Sequence, residues 1–342
     1  MKQFIRNASL AFVSLCLFLS SSAYAKTITL NFATQNSKTS WGSVHALRPW
    51  IKQVEKATGG EVTFRVFYSQ TLAPGKEAWK AVKNRIADVA WCFHGYWPGL
   101  TPLADVVSLP GLNYNSAEKG SEILWKTYSR FPEIQKEFND NKILLLYTSN
   151  PYILITKDKP VNTLEDIRGM KIRVTGGPPT DQMKALGGVP LLIPMPDTYI
   201  ALQKGVIDGM GAPWEAIHGF RLHEVVNHYT EVPFSAVYFS IAMNKAVWNK
   251  LSRTHQEAIM SVSGLQGSKF WGASFFDSAK TGVREEVSKA GKQINIKRLS
   301  QSEIKRWTEV SSKPIWERWI KNMDRKGHRN AREILESVLQ MH

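Results

Sequence analysis

Cysteine is nearly missing from this chain, which has two, Cys16 and Cys92. Acidic residues are also short: 29 Asp and Glu stand against 44 Lys and Arg, a formal net charge of +15. Each shortage excludes something. Cys16 lies in a leader-like segment, so a mature chain would keep one thiol. One thiol closes no internal disulfide, and stability has to come from burial. The G-x-G-x-x-G dinucleotide fingerprint does not occur, and Gly176-Gly177-Pro178-Pro179 lacks the lysine and hydroxyl of a phosphate-binding loop. The G-x-S-x-G nucleophile elbow is missing too. Beyond residue 25 no apolar run approaches the roughly 20 residues of a membrane-spanning helix.

What is present begins with an export signal. Lys2 and Arg6 precede an apolar stretch over 8–19, and small residues follow, ending in Ala23-Tyr24-Ala25. That pattern predicts a signal peptide cleaved after Ala25 and a periplasmic mature protein. Leu15 stands before Cys16, where a lipoprotein signal wants a small residue, which argues against lipidation. Losing Lys2 and Arg6 lowers the net charge from +15 to +13. A basic surface on a cytoplasmic protein would point to nucleic acid; export and the lack of any aromatic-basic or zinc-finger motif point away from it. Two readings of the charge stay open, a solvated basic surface or a field that draws small anions toward a cleft.

Strand-like and helix-like segments then alternate. "KTITLNFA" reads as a strand, the segment 41–60 as a helix stopped at Gly59-Gly60, and "EVTFRVFY" as a second strand. A helix over "GKEAWKAVKNRI" and the strand "ADVAWCF" follow, and a second such round begins near Lys142. The pattern is that of parallel α/β architecture, in a chain long enough for two lobes. From 253 to 290 there is no proline and only isolated glycines. A helix of that span reaches about 55 Å, so it lies across two lobes or kinks at a glycine.

Arg173 lies near the end of the strand-like "MKIRV", ahead of the Gly-Gly-Pro-Pro turn and a helix. Open α/β sheets bind ligands beyond the carboxyl ends of their strands, and helix N-termini favour anions. A guanidinium there is either half of a surface salt bridge or a planar fork for a carboxylate or sulfonate. Trp41, Phe93, Tyr96, Trp97, Tyr152 and Trp214 fall in or beside loops after strands, where aromatics either fill a core or line a pocket. His94, in "WCFHGYWPG", is a cleft group or a bonded loop histidine. Histidines 218, 223 and 228 recur every five residues, not at the i, i+4 spacing of a metal pair. Asp208 and Glu215 make an imaginable acid–base pair, but no third group joins them. No metal, cofactor or catalytic residue is expected.

The succession "LEDIRGMKIRV", "YIALQKGVIDG" and "LHEVVNHYTEVP", with "FRVFYSQTLAPGKEAWKAVKNRIADVAW" before it, resembles the solute-binding proteins of tripartite ATP-independent periplasmic (TRAP) transporters over nearly the whole mature chain. The resemblance implies an α/β Venus-flytrap fold with hinge strands and a long helix spanning both lobes. Residues 26–149 plus 238–277 would form lobe I, and 150–237 plus 278–342 lobe II. It implies that Arg173 grips a carboxylate, with Gln35, Phe93, Met195 and Trp214 lining the cleft. Ala212 stands where relatives often have an asparagine, and Tyr152 where many have a second arginine. Fewer polar contacts favour a smaller or more apolar organic anion over dicarboxylates and sugar acids. The implied role is a monomer that delivers its ligand to the small and large membrane subunits. A sensing module for a membrane receptor and an exported enzyme acting on an acidic substrate are the rival readings.

Overall fold

The computed structural model describes residues 27–112, 114–292 and 294–341; the expected signal peptide over 1–25 lies outside them. Alternating apolar residues build the first strands. β1 (Ile28–Ala33) and β2 (Val62–Phe67) pair in parallel, with Ile28 opposite Val62. β3 (Val89–Phe93), buried at all five residues, pairs in parallel with the other edge of β1. An unbroken apolar run belongs in a sheet interior, covered on both faces. β4 (Lys142–Thr148) is the last strand before the chain crosses to a second sheet.

That second sheet takes β5 (Ile153–Thr156), β6 (Lys171–Val174), β7 (Val189–Leu192), β8 (Gly209–Ala212) and β9 (His228–Glu231). The chain then returns, and β10 (Tyr238–Met243) inserts antiparallel between β3 and β4. β11 (Ile296–Arg298) finally adds to β9. The strand orders are β2-β1-β3-β10-β4 and β11-β9-β5-β8-β6-β7. Two lobes result, joined by the strand crossings over 149–152 and 232–237.

The helical run expected over 253–290 is divided. It consists of Arg253–Ser261, Gly264–Trp271, a π-helical stretch Gly272–Asp277, and Ser278–Lys289. Gly264 takes φ +54 just after the first break, a conformation natural to glycine. Gly272 opens the π-helical stretch, and a Cβ there would stand 2.5 Å from the Ala117 carbonyl oxygen. The run does join both lobes. Trp271 and Phe275 pack against Tyr147 of β4, while Ala279, Val283 and Val287 share a core with Ile155 and Met210 of the second sheet.

Residues 278–342 divide between the lobes, unlike the expectation for them. Gln301–Ser311 stays with the second lobe, where Glu303 accepts from the Leu164 N–H at 2.8 Å. Lys313–Arg325 and Ala331–Gln340 cover the first lobe. The Trp316 and Trp319 indoles donate to the Pro110 and Pro102 carbonyls at 2.7 and 3.0 Å. Ile334, Leu335 and Val338 are buried with Leu103 and Ile123. An amphipathic helix must bury its apolar stripe, and its own sequence does not say which lobe supplies the matching face. Among the described residues no helix is long and apolar enough to cross a membrane.

Candidate ligand cleft

Carboxyl ends of parallel strands from both sheets face one another between the lobes, where open α/β sheets hold ligands. Gln35 and Asn36 follow β1, and His94 to Tyr96 follow β3. From the other lobe come Thr175 to Gly177 after β6, Met195 after β7 and Glu215 after β8. The lobes touch: the Gly176 N–H donates to the Gly95 carbonyl at 2.9 Å, and the Met195 N–H donates to the Tyr96 hydroxyl at 2.9 Å. A Cβ on Gly176 would stand 2.4 Å from the Pro98 ring, and one on Gly95 2.8 Å from Thr175 Cβ. Glycine at both points is what lets the two backbones meet.

Arg173 sits on β6, between β8 and β7, in register with Met210 and Leu191. It is 0% exposed. Its Nε–H donates to the Ile193 carbonyl at 2.9 Å, which holds the side chain in place. Nη1 and Nη2 are buried and have no hydrogen-bond partner. A guanidinium remains charged and carries five N–H donors; the four on Nη1 and Nη2 have the Tyr152 phenol beside them but no well-formed hydrogen bond. Leaving a charge buried and unpaired costs on the order of several kcal/mol. Around it, burial pushes the Tyr96 and Tyr152 phenols up while the guanidinium pulls them back down.

Two small cavities share this region. One of about 140 Å³ is lined by Lys76, Tyr96, Arg173, Thr175 and Ile193 among others. The second, about 20 Å³, is enclosed by Gln35, Phe93, Tyr152, Met195, Glu215 and Phe239, with Asn36, Trp91, Pro213 and Phe220 beside them. Tyr96 links the two, since its hydroxyl donates to Gln35 Oε1 at 3.0 Å. About 20 Å³ holds little more than one water, so this cavity as it stands has no room for an organic ligand. A larger hollow of about 420 Å³ lies beside Asp105, Trp319 and Lys326. There the Asp105 carboxyl already accepts from the Tyr238 hydroxyl at 3.0 Å, whereas the guanidinium in the cleft is a buried charge without a carboxylate partner.

Thr175 Oγ1 and Glu215 Oε1 are also buried in the cleft without a partner. Glu215 lies in the first turn of the helix Trp214–Gly219 and is 5% exposed. Burial pushes its carboxyl up to about 8, which leaves it neutral at pH 7.

Of the residues singled out from sequence, Arg173, Gln35, Phe93, Tyr152 and Met195 come together here. Trp41, His94 and Trp214 do not. The Trp41 indole N–H donates to Ser278 Oγ at 2.8 Å, and its ring packs where a Cβ on Gly282 would fall 1.9 Å away. It wedges against the crossing helix instead of facing the cleft. His94 points into the first lobe, with Nε2 paired to Ser240 Oγ at 2.9 Å and its ring stacked on Tyr238. Trp214 stacks on Tyr229 in the second lobe's core. Asp208 is not joined to Glu215; its carboxylate accepts from the Lys171 N–H at 2.7 Å at the start of β6. His218 and His223 stack at 6.2 Å, and His223 Nδ1 pairs with the Ile217 carbonyl. Among the described residues no group of three or more His, Cys, Asp or Glu is arranged to hold a metal ion. Trp91, Phe220 and Phe239 are cleft walls that sequence patterning does not single out, because an aromatic inside a strand (Trp91, Phe239) or just after a helix (Phe220) reads as core until the opposite lobe is in place.

The bacterial extracellular solute-binding protein family 7 (DctP) model matches residues 32–322. Three solved structures are similar to this chain. A TRAP solute-binding protein from Rhodoferax ferrireducens in complex with copurified benzoate is 26% identical, with TM-score 0.86 over 92% of this chain and 97% of that one. A Bordetella bronchiseptica TRAP periplasmic solute-binding protein with bound (R)- and (S)-mandelate is 27% identical, TM-score 0.83, covering 91% and 97%. A marine metagenome TRAP protein from an unidentified microbe, specific for aromatic acid ligands and complexed with 3-hydroxybenzoate, is 26% identical, TM-score 0.86, covering 92% and 98%.

Proposed function

The chain belongs to family 7 of the bacterial extracellular solute-binding proteins, and on that premise we propose that its ligand is an aromatic monocarboxylate. It is the extracytoplasmic binding component of a TRAP transporter and captures a small organic anion. The observation that carries the finer reading is Arg173, fully buried with Nη1 and Nη2 unpaired. A carboxylate accepting from both nitrogens supplies the charge and the acceptors that this guanidinium lacks. The walls of the neighbouring cavity, Phe93, Tyr152 and Phe239 among them, are aromatic and suit a ring. The relatives that hold benzoate, mandelate and 3-hydroxybenzoate support the same choice.

In this reading the ligand enters between parted lobes, Arg173 takes its carboxylate, and the Gly95–Gly176 and Tyr96–Met195 hydrogen bonds form as the lobes close. Ligand favours the closed state only by binding it more tightly than the open one. No bond of the ligand is made or broken. The signal peptide leaves after Ala25, the mature protein acts as a monomer, and the loaded form docks on the small and large membrane subunits.

The test is calorimetry on purified mature protein with benzoate, hydroxybenzoates and mandelate against glucuronate and succinate. Aromatic monocarboxylates are expected to bind at least a hundredfold more tightly and to raise Tm by mass action. Tighter binding of glucuronate or succinate would discard the aromatic reading.

A further inference from the structure

Arg173 accounts for one end of a ligand and leaves Glu215 without a task. We propose that the Glu215 carboxyl is a second anchor of the cleft, hydrogen-bonding a hydroxyl on the ligand's ring, so that hydroxylated aromatic carboxylates are preferred to unsubstituted ones. This rests on the aromatic monocarboxylate reading above.

Three observations carry it. Glu215 is 5% exposed and its Oε1 is buried without a partner, although it lines the enclosed cavity. A buried polar atom with no partner is uncommon and costs stability, so it calls for an explanation. Second, the rest of the wall leaves it unmet: Phe93, Met195, Pro213 and Phe239 are apolar, the Gln35 oxygen already accepts from Tyr96, and the Asn36 and Tyr152 side chains make no hydrogen bond to it. Third, the fold separates the two anchors. Arg173 is in register with Met210, and extended backbone continues from there to Pro213 before the helix that carries Glu215. Three residues of strand advance about 10 Å. One carboxylate cannot occupy both positions, whereas a ring with substituents at two ends can approach both.

The chemistry selects a hydroxyl. A protonated carboxyl offers one O–H donor and one carbonyl acceptor, and a hydroxyl answers both. Burial holds Glu215 in that protonated form at neutral pH. An ionised group on the ligand would have to be desolvated here with no cation among the cavity's lining residues.

The experiment compares benzoate with 3- and 4-hydroxybenzoate by calorimetry on the wild-type protein, Glu215→Gln and Glu215→Leu. In the wild type one hydroxybenzoate is expected to bind about tenfold more tightly than benzoate. Glu215→Leu should bring that ratio to about one while benzoate still binds. Glu215→Gln keeps a donor and an acceptor and should retain part of the preference; it also serves if the leucine variant does not fold. Equal binding of the three acids by the wild type, or an unchanged ratio in a folded Glu215 variant, overturns the proposal while the aromatic reading survives. Failure of all three acids to bind overturns both.

Discussion

Two polar groups are buried a short distance apart in this molecule, and they have opposite characters. Behind β3, His94 is 3% exposed and held on both sides, by Ser240 at 2.9 Å and Thr101 at 3.4 Å, with the Thr101 hydroxyl in turn 2.7 Å from the Tyr238 hydroxyl. In the cleft, Arg173 is as deeply buried and has two nitrogens with nothing to bond. Depth therefore does not separate architecture from function here. Lack of a partner alone does not separate them either, since the Trp271 and Trp307 indoles are unpartnered in the core. What sets Arg173 apart is that the unmet group is a charge beside a cavity, with bonds in reserve for an anion.

The strongest way to break that contrast is Arg173→Met. If the guanidinium is held at a cost for the sake of an anion, removing it should abolish aromatic acid binding by more than a hundredfold, the equivalent of roughly 3 kcal/mol or more for two charge-assisted hydrogen bonds. The same change removes an unpaired buried charge, so the Tm of the ligand-free protein should rise by about 2–4 °C. Loss of binding with a lower Tm would mean that Arg173 props up the lobe, like His94. Unchanged binding would take it out of the site.

A smaller effect is expected from Gly176→Ala, which leaves Arg173 intact and disturbs only the meeting of the lobes. The added methyl would press on Pro98, 2.4 Å away, so the closed state should lose ground to the open one. Affinity should fall about tenfold, since a ligand binds less tightly when its competent state is less populated. The Tm of the ligand-free protein should hardly move. Small-angle scattering with and without ligand checks the cause, because the variant should contract less on ligand addition. Affinity equal to that of the wild type would show that Gly95 and Gly176 do not set closure.

The same contrast explains what was readable in the sequence. Arg173 stood out because a charge near the end of an apolar strand before Gly-Gly-Pro-Pro breaks local patterning, and violations of that kind collect at functional sites. The α/β alternation was legible for the opposite reason, being locally consistent throughout. Trp41, His94 and Trp214 sit on loops that look just like those of Phe93 and Tyr152. Their partners are Ser278, Ser240 and Tyr229, remote in sequence, and no local pattern shows such a partner. Glu215 stood out only beside Asp208, as an imaginable acid–base pair, since nothing in "APWEA" reveals that its oxygen is left alone. The return of β10 into the first sheet and the docking of Lys313–Arg325 on lobe I depend likewise on faces supplied from elsewhere in the chain.

The gentlest probe is His94→Gln, which should change stability and leave the cleft alone. Burial lowers the His94 imidazole from 6.5 to about 3, so the folded protein keeps it neutral where an unfolded chain would protonate it. As pH falls from 6.5 toward 3 the unfolded state binds the extra proton, and the wild type loses stability through this residue. Glutamine preserves some of the bonding to Ser240 and Thr101 but cannot protonate. At pH 7 the variant should be less stable by ~1–3 kcal/mol, the usual cost of disturbing a buried hydrogen-bonded group. That deficit should shrink by roughly 1.4 kcal/mol per pH unit below 6.5 and be cancelled or reversed by about pH 4, measured as the Tm difference between variant and wild type across the range. Ligand affinity at pH 7 should stay within about twofold, in line with what remote substitutions do to an independent site. A large loss of affinity would place His94 with Arg173 after all, and the distinction between a bonded group and an unmet charge would no longer mark out the cleft.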